Sequence, residues 1–128
     1  MEKVKFSKEY IIQASNKIIY QCLSTPSGLS EWFADDVNIR DDVFTFIWDG
    51  SEEKARILSK KRDELVRFRW LEDEEEGDDY FFEMRIKVDE LTGERALIVT
   101  DFAEEDEVED NGLLWDSQVD KLKQTIGS

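Results

Sequence analysis

Between Val37 and Phe102 apolar residues recur at every second position, and short polar turns interrupt them. From about Asp106 the period changes, and Val108, Gly112, Trp115, Val119, Leu122 and Ile126 fall on one helical face. The alternating segments predict strands over Val37–Arg40, Val43–Trp48, Glu53–Lys61, Leu65–Leu71, Tyr80–Glu90 and Arg95–Phe102. Asp41-Asp42, Asp49-Gly50, Arg62-Asp63-Glu64, the acidic run 72–79 and Thr92-Gly93 separate them, and Asp-Gly is a strong two-residue hairpin signal. Connections this short join antiparallel neighbours, since a parallel crossover takes a dozen residues or more.

The first part of the chain reads as one strand and two short helices. Val4, Phe6, Tyr10 and Ile12 alternate within residues 3–13. Ser15-Asn16 supplies a helix N-cap ahead of Ile18, Ile19, Cys22 and Leu23. Thr25 caps a second helix that has the sole proline, Pro26, at its first position and Leu29, Trp32 and Phe33 at i, i+3, i+4 spacing. Phe44, Phe46 and Trp48 share one strand face; so do Val66, Phe68 and Trp70, and Phe82, Met84, Ile86 and Val88. Arg67, Arg69, Glu83 and Arg85 fall on the opposite, solvent face, where cross-strand charge pairing is their expected role. A sheet with one apolar and one charged face has a single covering layer, and the helices are the available cover. The expected class is α+β: a seven-stranded curved antiparallel sheet, two short helices and a long C-terminal helix packed across it.

Composition narrows the function. A length of 128 residues fits one domain, expected over 1–128. No stretch reaches the roughly 18 apolar residues of a membrane span, and the first residues lack a signal-peptide core. With Cys22 the only cysteine, no intramolecular disulfide forms, and a reducing cytoplasm is the expected compartment. Residues 1–64 carry ten Lys/Arg and twelve Asp/Glu, a net of −2; residues 65–128 carry seven and twenty, a net of −13. Nucleic acid is excluded as a partner and anionic membrane surfaces are disfavoured, because both call for a basic footprint. The acidic runs 72–79 and 104–110 read as solvated loops, or as a surface for a protein partner with a basic face.

The order of elements resembles the START/Bet v 1-like helix-grip superfamily. Ala14–Phe33, with its Thr25-Pro26 step and Trp32-Phe33 ending, resembles the opening motif of the subgroup related to activators of heat-shock chaperone ATPase. Gly112-Leu113-Leu114-Trp115 with Val119, Leu122 and Lys123 is similar to that subgroup's closing pattern. Asp41-Asp42 stands where the subgroup often has a Gly-Gly turn. The resemblance implies a cavity between sheet and helix, used in relatives for lipids, hydrophobic small molecules or cyclisation chemistry. It supplies no catalytic residues.

The chemistry visible in the residues is sparse. Without histidine, Ser-His-Asp triads and His-based zinc sites are excluded, and no nucleotide-binding glycine motif occurs. A calcium loop counted from Asp73 fails, because its sixth position is Asp78 and Gly77 falls one residue early; weak calcium binding by carboxylate density stays open. No cofactor is expected. A dry void of about 300 Å³ would cost about 7 kcal/mol at ~24 cal/mol per Å³, so a large pocket must hold water, ligand or bulky side chains. The expected ligand-binding residues are Phe44, Phe46, Trp48, Phe68, Trp70, Phe82, Met84, Trp115 and Val119. The favoured function is non-catalytic binding of a hydrophobic small molecule or lipid. A co-chaperone-like interaction module and a cyclase-like cavity enzyme are the alternatives. Helix-grip topology also predicts that Asp35-Asp36, Asp49–Glu53, Glu72–Asp79 and Glu104–Asp110 gather at one end, as an acidic collar favouring a cationic or amphipathic partner.

Overall fold

The computed structural model describes residues 2–127. The elements follow the order β1 (Val4–Ile11), α1 (Asn16–Ser24), α2 (Pro26–Leu29), β2 (Asp36–Arg40), β3 (Val43–Trp48), β4 (Ser51–Lys61), β5 (Leu65–Trp70), α3 (Leu71–Glu75), β6 (Phe82–Val88), β7 (Arg95–Ala103) and α4 (Val108–Ile126). The seven strands form one antiparallel sheet in the order β1-β7-β6-β5-β4-β3-β2. With the short helices and α4 on the apolar face, this is a helix-grip-like α+β fold.

Local chemistry explains the joints. Ser15 accepts a hydrogen bond from the Ile18 amide at 3.2 Å, and Thr25 Oγ1 accepts one from the Gly28 amide at 3.0 Å, so α1 and α2 each have a side-chain cap. Asp49 and Gly50 both take positive φ, 52° and 83°, as the two-residue hairpin between β3 and β4 requires. The register of β4 on β5 shifts between Ile57 and Ser59, which bends the long strand. Gly127, at φ 73°, closes α4 with its amide on the Gln124 and Lys123 carbonyls.

Three expectations need correction. The second helix stops at Leu29, so Trp32 and Phe33 sit in the turns after it and not on the helix. The acidic run 72–79 is not all turn: Leu71–Glu75 form α3, with Glu72, Asp73 and Glu74 in its first turn. Carboxylates are favourable there, where the helix exposes unpaired amides, so consecutive acids did not preclude a helix. Glu83 lies on the outer face, yet it is only 6% exposed. Arg67 reaches it across the strands at 2.7 Å and Arg85 from the same strand at 3.2 Å, and together they cover it. Burial alone would push the Glu83 carboxyl up, but hydrogen bonds from both guanidiniums outweigh that and hold it below the ordinary range.

The core lies between the sheet and the helices. Ile19, Leu23, Leu29, Phe44, Phe46, Phe68, Met84, Leu97, Val99, Val119 and Leu122 are all buried there. The rings are in mutual contact: Phe44 meets Phe68 edge-on at 5.1 Å, and Phe68 stacks on Phe82 at 5.1 Å. The space directly beneath α4 is therefore filled by side chains.

Candidate functional site

A half-open cleft of about 1050 Å³ lies at one end of the molecule, where the sheet, α3 and α4 diverge. Trp48 and Trp70, both partly buried, present aromatic surface to it, and the nearly buried Phe33 and Trp115 border it from beneath. Phe33, just past α2, is the hub: its ring lies 5.4 Å from Trp48, 5.6 Å from Trp115 and 5.8 Å from Phe82. Its carbonyl accepts from Trp48 Nε1 at 2.7 Å and from Gln118 Nε2 at 3.0 Å, which ties α2, β3 and α4 together at the floor.

Of the residues expected to bind ligand, Trp48, Trp70 and Trp115 lie along the cleft, while Phe44, Phe46, Phe68, Phe82, Met84 and Val119 are sealed in the core behind them. The expected cavity has moved outward, from beneath the helix to the end of the sheet. Alternation assigned the inward face correctly but carries no information on depth along the strand. Phe33 was absent from the expected set, although its place in the Trp32-Phe33 ending was visible.

The rim is acidic. Glu52, Glu53, Glu72, Asp73, Glu76, Asp78 and Glu104 line the cleft with two lysines, Lys3 and Lys54. They come from the β3–β4 hairpin, the α3 segment and the connection into α4. Asp35, from the fourth expected segment, joins the same end, where its carboxylate accepts from the Asp49 amide at 2.7 Å. Three of the four expected segments therefore meet at the cleft, while Asp35 is bound to the hairpin beside it and does not line it. Asp73, Glu76 and Asp78 offer carboxylate oxygens within 4.8 Å of one another, as do Glu104, Asp106 and Glu107, and these are the groups able to approach a cation. Asp73 is already paired with Lys3 at 3.6 Å.

Deeper in the cleft, Asp101 on β7 accepts a hydrogen bond from Trp115 Nε1 at 2.8 Å, and its other oxygen accepts from the Phe102 amide at 2.7 Å. Burial pushes the Asp101 carboxyl above the usual aspartate range, and the two hydrogen bonds with the nearby Lys3 charge offset that only in part. A carboxyl with a raised folded-state pKa takes up its proton in the native protein before it would in the unfolded chain, so this contribution to stability grows as pH falls through the raised value. Because Asp101 holds the Trp115 indole, Trp115 emission is expected to titrate with a midpoint above the ordinary aspartate value of about 3.9. The transition should disappear in Asp101→Asn; a midpoint at or below the ordinary value would contradict this environment.

Cys22 gives no sign of nucleophilic chemistry. Burial pushes its thiol up, with Glu31 adding to the effect, and its carbonyl accepts from Trp32 Nε1 at 2.8 Å. On α4, Asp116 accepts from the Tyr10 hydroxyl at 2.7 Å and pairs with the Lys8 ammonium at 3.1 Å, which fastens α4 to β1.

The whole chain, residues 1–128, matches the model of the START-like superfamily domain. It belongs to that superfamily. A solution structure from Bacteroides fragilis is 40% identical, with a TM-score of 0.68, over 98% of this chain and 92% of that one. The Aha1 dimer from Colwellia psychrerythraea is 18% identical with a TM-score of 0.80, covering 96% of each chain. A conserved protein of unknown function from Enterococcus faecalis is 17% identical with a TM-score of 0.72, over 98% of this chain and 72% of that one. No match was found among curated proteins. The START-like fold typically binds hydrophobic ligands, and no helix among the described residues is long and apolar enough to cross a membrane.

Proposed function

We propose that this START-like protein binds a hydrophobic small molecule or lipid, without transforming it, in the cleft between the end of the sheet and α4. The observation that carries this is the aromatic floor: Phe33, Trp48, Trp70 and Trp115 bordering about 1050 Å³ of open space. That space is comparable to the roughly 300–1,000 Å³ of small-molecule sites, and large rings are an effective apolar lining. In this reading Trp48, Trp70 and Trp115 touch the ligand. Phe44, Phe46, Phe68, Phe82, Met84 and Val119 act from behind by keeping those rings in place. The acidic rim disfavours anionic ligands such as fatty acids, since a carboxylate entering would meet like charges at short range.

Because three of the four tryptophans border the cleft, intrinsic fluorescence reports occupancy directly. Neutral apolar probes (medium-chain alcohols, sterols, polycyclic aromatics) are expected to shift or quench the emission. At a hundredfold excess over Kd, a ligand stabilises the fold by about 2.7 kcal/mol, a rise in Tm on the order of 10 °C. If no neutral apolar probe moves either the emission or the Tm, the binding reading is wrong.

A further inference from the structure

We propose that the corner of the cleft formed by Asp73, Asp101 and Tyr80 recognises an ammonium group, that Lys3 occupies this position in the free protein, and that the ligand is an amphipathic amine whose cation displaces the lysine. This deepens the binding reading above and rests on it.

The occupant of the corner shows its chemistry. The Lys3 ammonium lies 3.6 Å from Asp73 Oδ1 and 5.1 Å from the centre of the Tyr80 ring. A carboxylate on one side and a ring face on the other are the two features that bind organic cations. The Lys3 backbone amide also donates to the Tyr80 hydroxyl at 2.9 Å, which places the lysine stem at the corner. Asp73 is only 7% exposed, although it belongs to an otherwise solvated acidic run. Asp101, inside the same corner, has neutral donors, the Trp115 indole and the Phe102 amide. Two desolvated carboxylates therefore share the field of one lysine.

That lysine is loosely held. A separation of 3.6 Å exceeds the roughly 2.7–3.2 Å of a well-formed N–H···O bond, so the pair has attraction without a close hydrogen bond. The Lys3 side chain is 35% exposed, and its four-carbon stem is flexible. An incoming amine can take its place, and the lysine head can swing into water at small cost.

Position links this corner to the aromatic floor. Lys3, Trp70, Asp73, Tyr80, Asp101 and Glu104 border both the main cleft and a side pocket of about 240 Å³. A ligand whose apolar body lies along Trp70 and Trp115 therefore brings its end group to Asp73 and Asp101. A primary or secondary amine there can donate to both carboxylates, whereas an alcohol leaves the charge unanswered and a carboxylate is repelled.

The test is calorimetric titration of the full chain with decylamine, decanol and decanoate below their micelle concentrations, on wild type and three variants. Wild type is expected to bind decylamine at least tenfold more tightly than decanol, with decanoate weakest. Asp73→Asn should reduce decylamine to the affinity of decanol. Lys3→Met keeps an apolar stem but removes the competing charge, and should tighten decylamine several-fold with decanol unchanged. Glu90→Gln removes an equal charge at an exposed position in the β6–β7 turn and should alter neither. Equal binding of amine and alcohol overturns the ammonium site while leaving the apolar binder intact. So does a loss in Glu90→Gln matching that in Asp73→Asn, which would mean a diffuse field. If Asp73→Asn fails to fold, Lys3→Met decides: unchanged decylamine affinity overturns the displacement. Failure of all three probes to bind wild type overturns the binding reading itself.

Discussion

Phe33→Ala is expected to destabilise the protein by about 3–5 kcal/mol, the range for removing a large buried ring. That is a large part of the roughly 5–15 kcal/mol that holds a domain of this size together. The site cannot readily collapse around the loss. The ring touches Trp32, Phe46, Trp48, Phe82 and Trp115, and each of these is fixed by other partners. Trp48 Nε1 and Gln118 Nε2 bond the Phe33 carbonyl, Trp115 Nε1 bonds Asp101, and Trp32 Nε1 bonds the Cys22 carbonyl. The vacated volume stays open, and the floor of the cleft loses the ring that joins β3 to α4. Urea unfolding followed by far-UV circular dichroism gives the cost, and titration with a neutral apolar probe gives the loss of affinity. A cost under about 1 kcal/mol would show that these rings are loosely packed and that Phe33 is not their hub.

Gly28→Ala should also be severe, for a different reason. A Cβ at Gly28 would lie 2.2 Å from the Gln21 carbonyl oxygen and 2.8 Å from the Cys22 Cα, both backbone atoms of α1. No rotamer change relieves such a clash. Either the last turn of α1 unwinds or α2 moves outward, and α2 leads directly into Trp32 and Phe33. Overpacking typically costs about 1–3 kcal/mol and sometimes more, and a clash with backbone belongs at the upper end. Gly112, inside α4, gives the contrast. A Cβ there would meet the Lys8 side chain no closer than 3.6 Å, an ordinary contact. Gly112→Ala is therefore expected to stabilise by about 0.5–1 kcal/mol, through helix propensity and a less free unfolded chain. Thermal melts of the two variants should move in opposite directions. Equal destabilisation would mean that α4 needs a closer approach to β1 than the structure has.

Most of the fold was legible because its signals are local. Alternation marked the inward faces of β3, β5 and β6, Asp49-Gly50 marked its hairpin, and Ser15 and Thr25 marked the starts of α1 and α2. The miss at α3 came from reading consecutive acids only as solvent-seeking, without their favourable place at a helix N-terminus. Glu83 was assigned to the right face, but its burial depends on two arginines folding over it, one of which belongs to another strand.

The candidate site divides along the same line. By itself the sequence determined the α+β class, the strand count, the inward faces of the strands and the charge asymmetry, because each follows from periodicity, turn chemistry or composition. Only the tertiary structure decided where the space is. Phe44 and Trp48 share one face of one strand, yet the first is sealed in the core and the second borders the cleft. Periodicity specifies the side of a sheet, whereas depth along it depends on where α4 crosses and where α3 turns away. The corner made by Lys3, Asp73, Tyr80 and Asp101 is the same case, since its members come from the start of the chain, its middle and β7. They meet only once β1 pairs with β7 and β7 with β6 and β5, which carries Lys3 to the segment between β5 and β6.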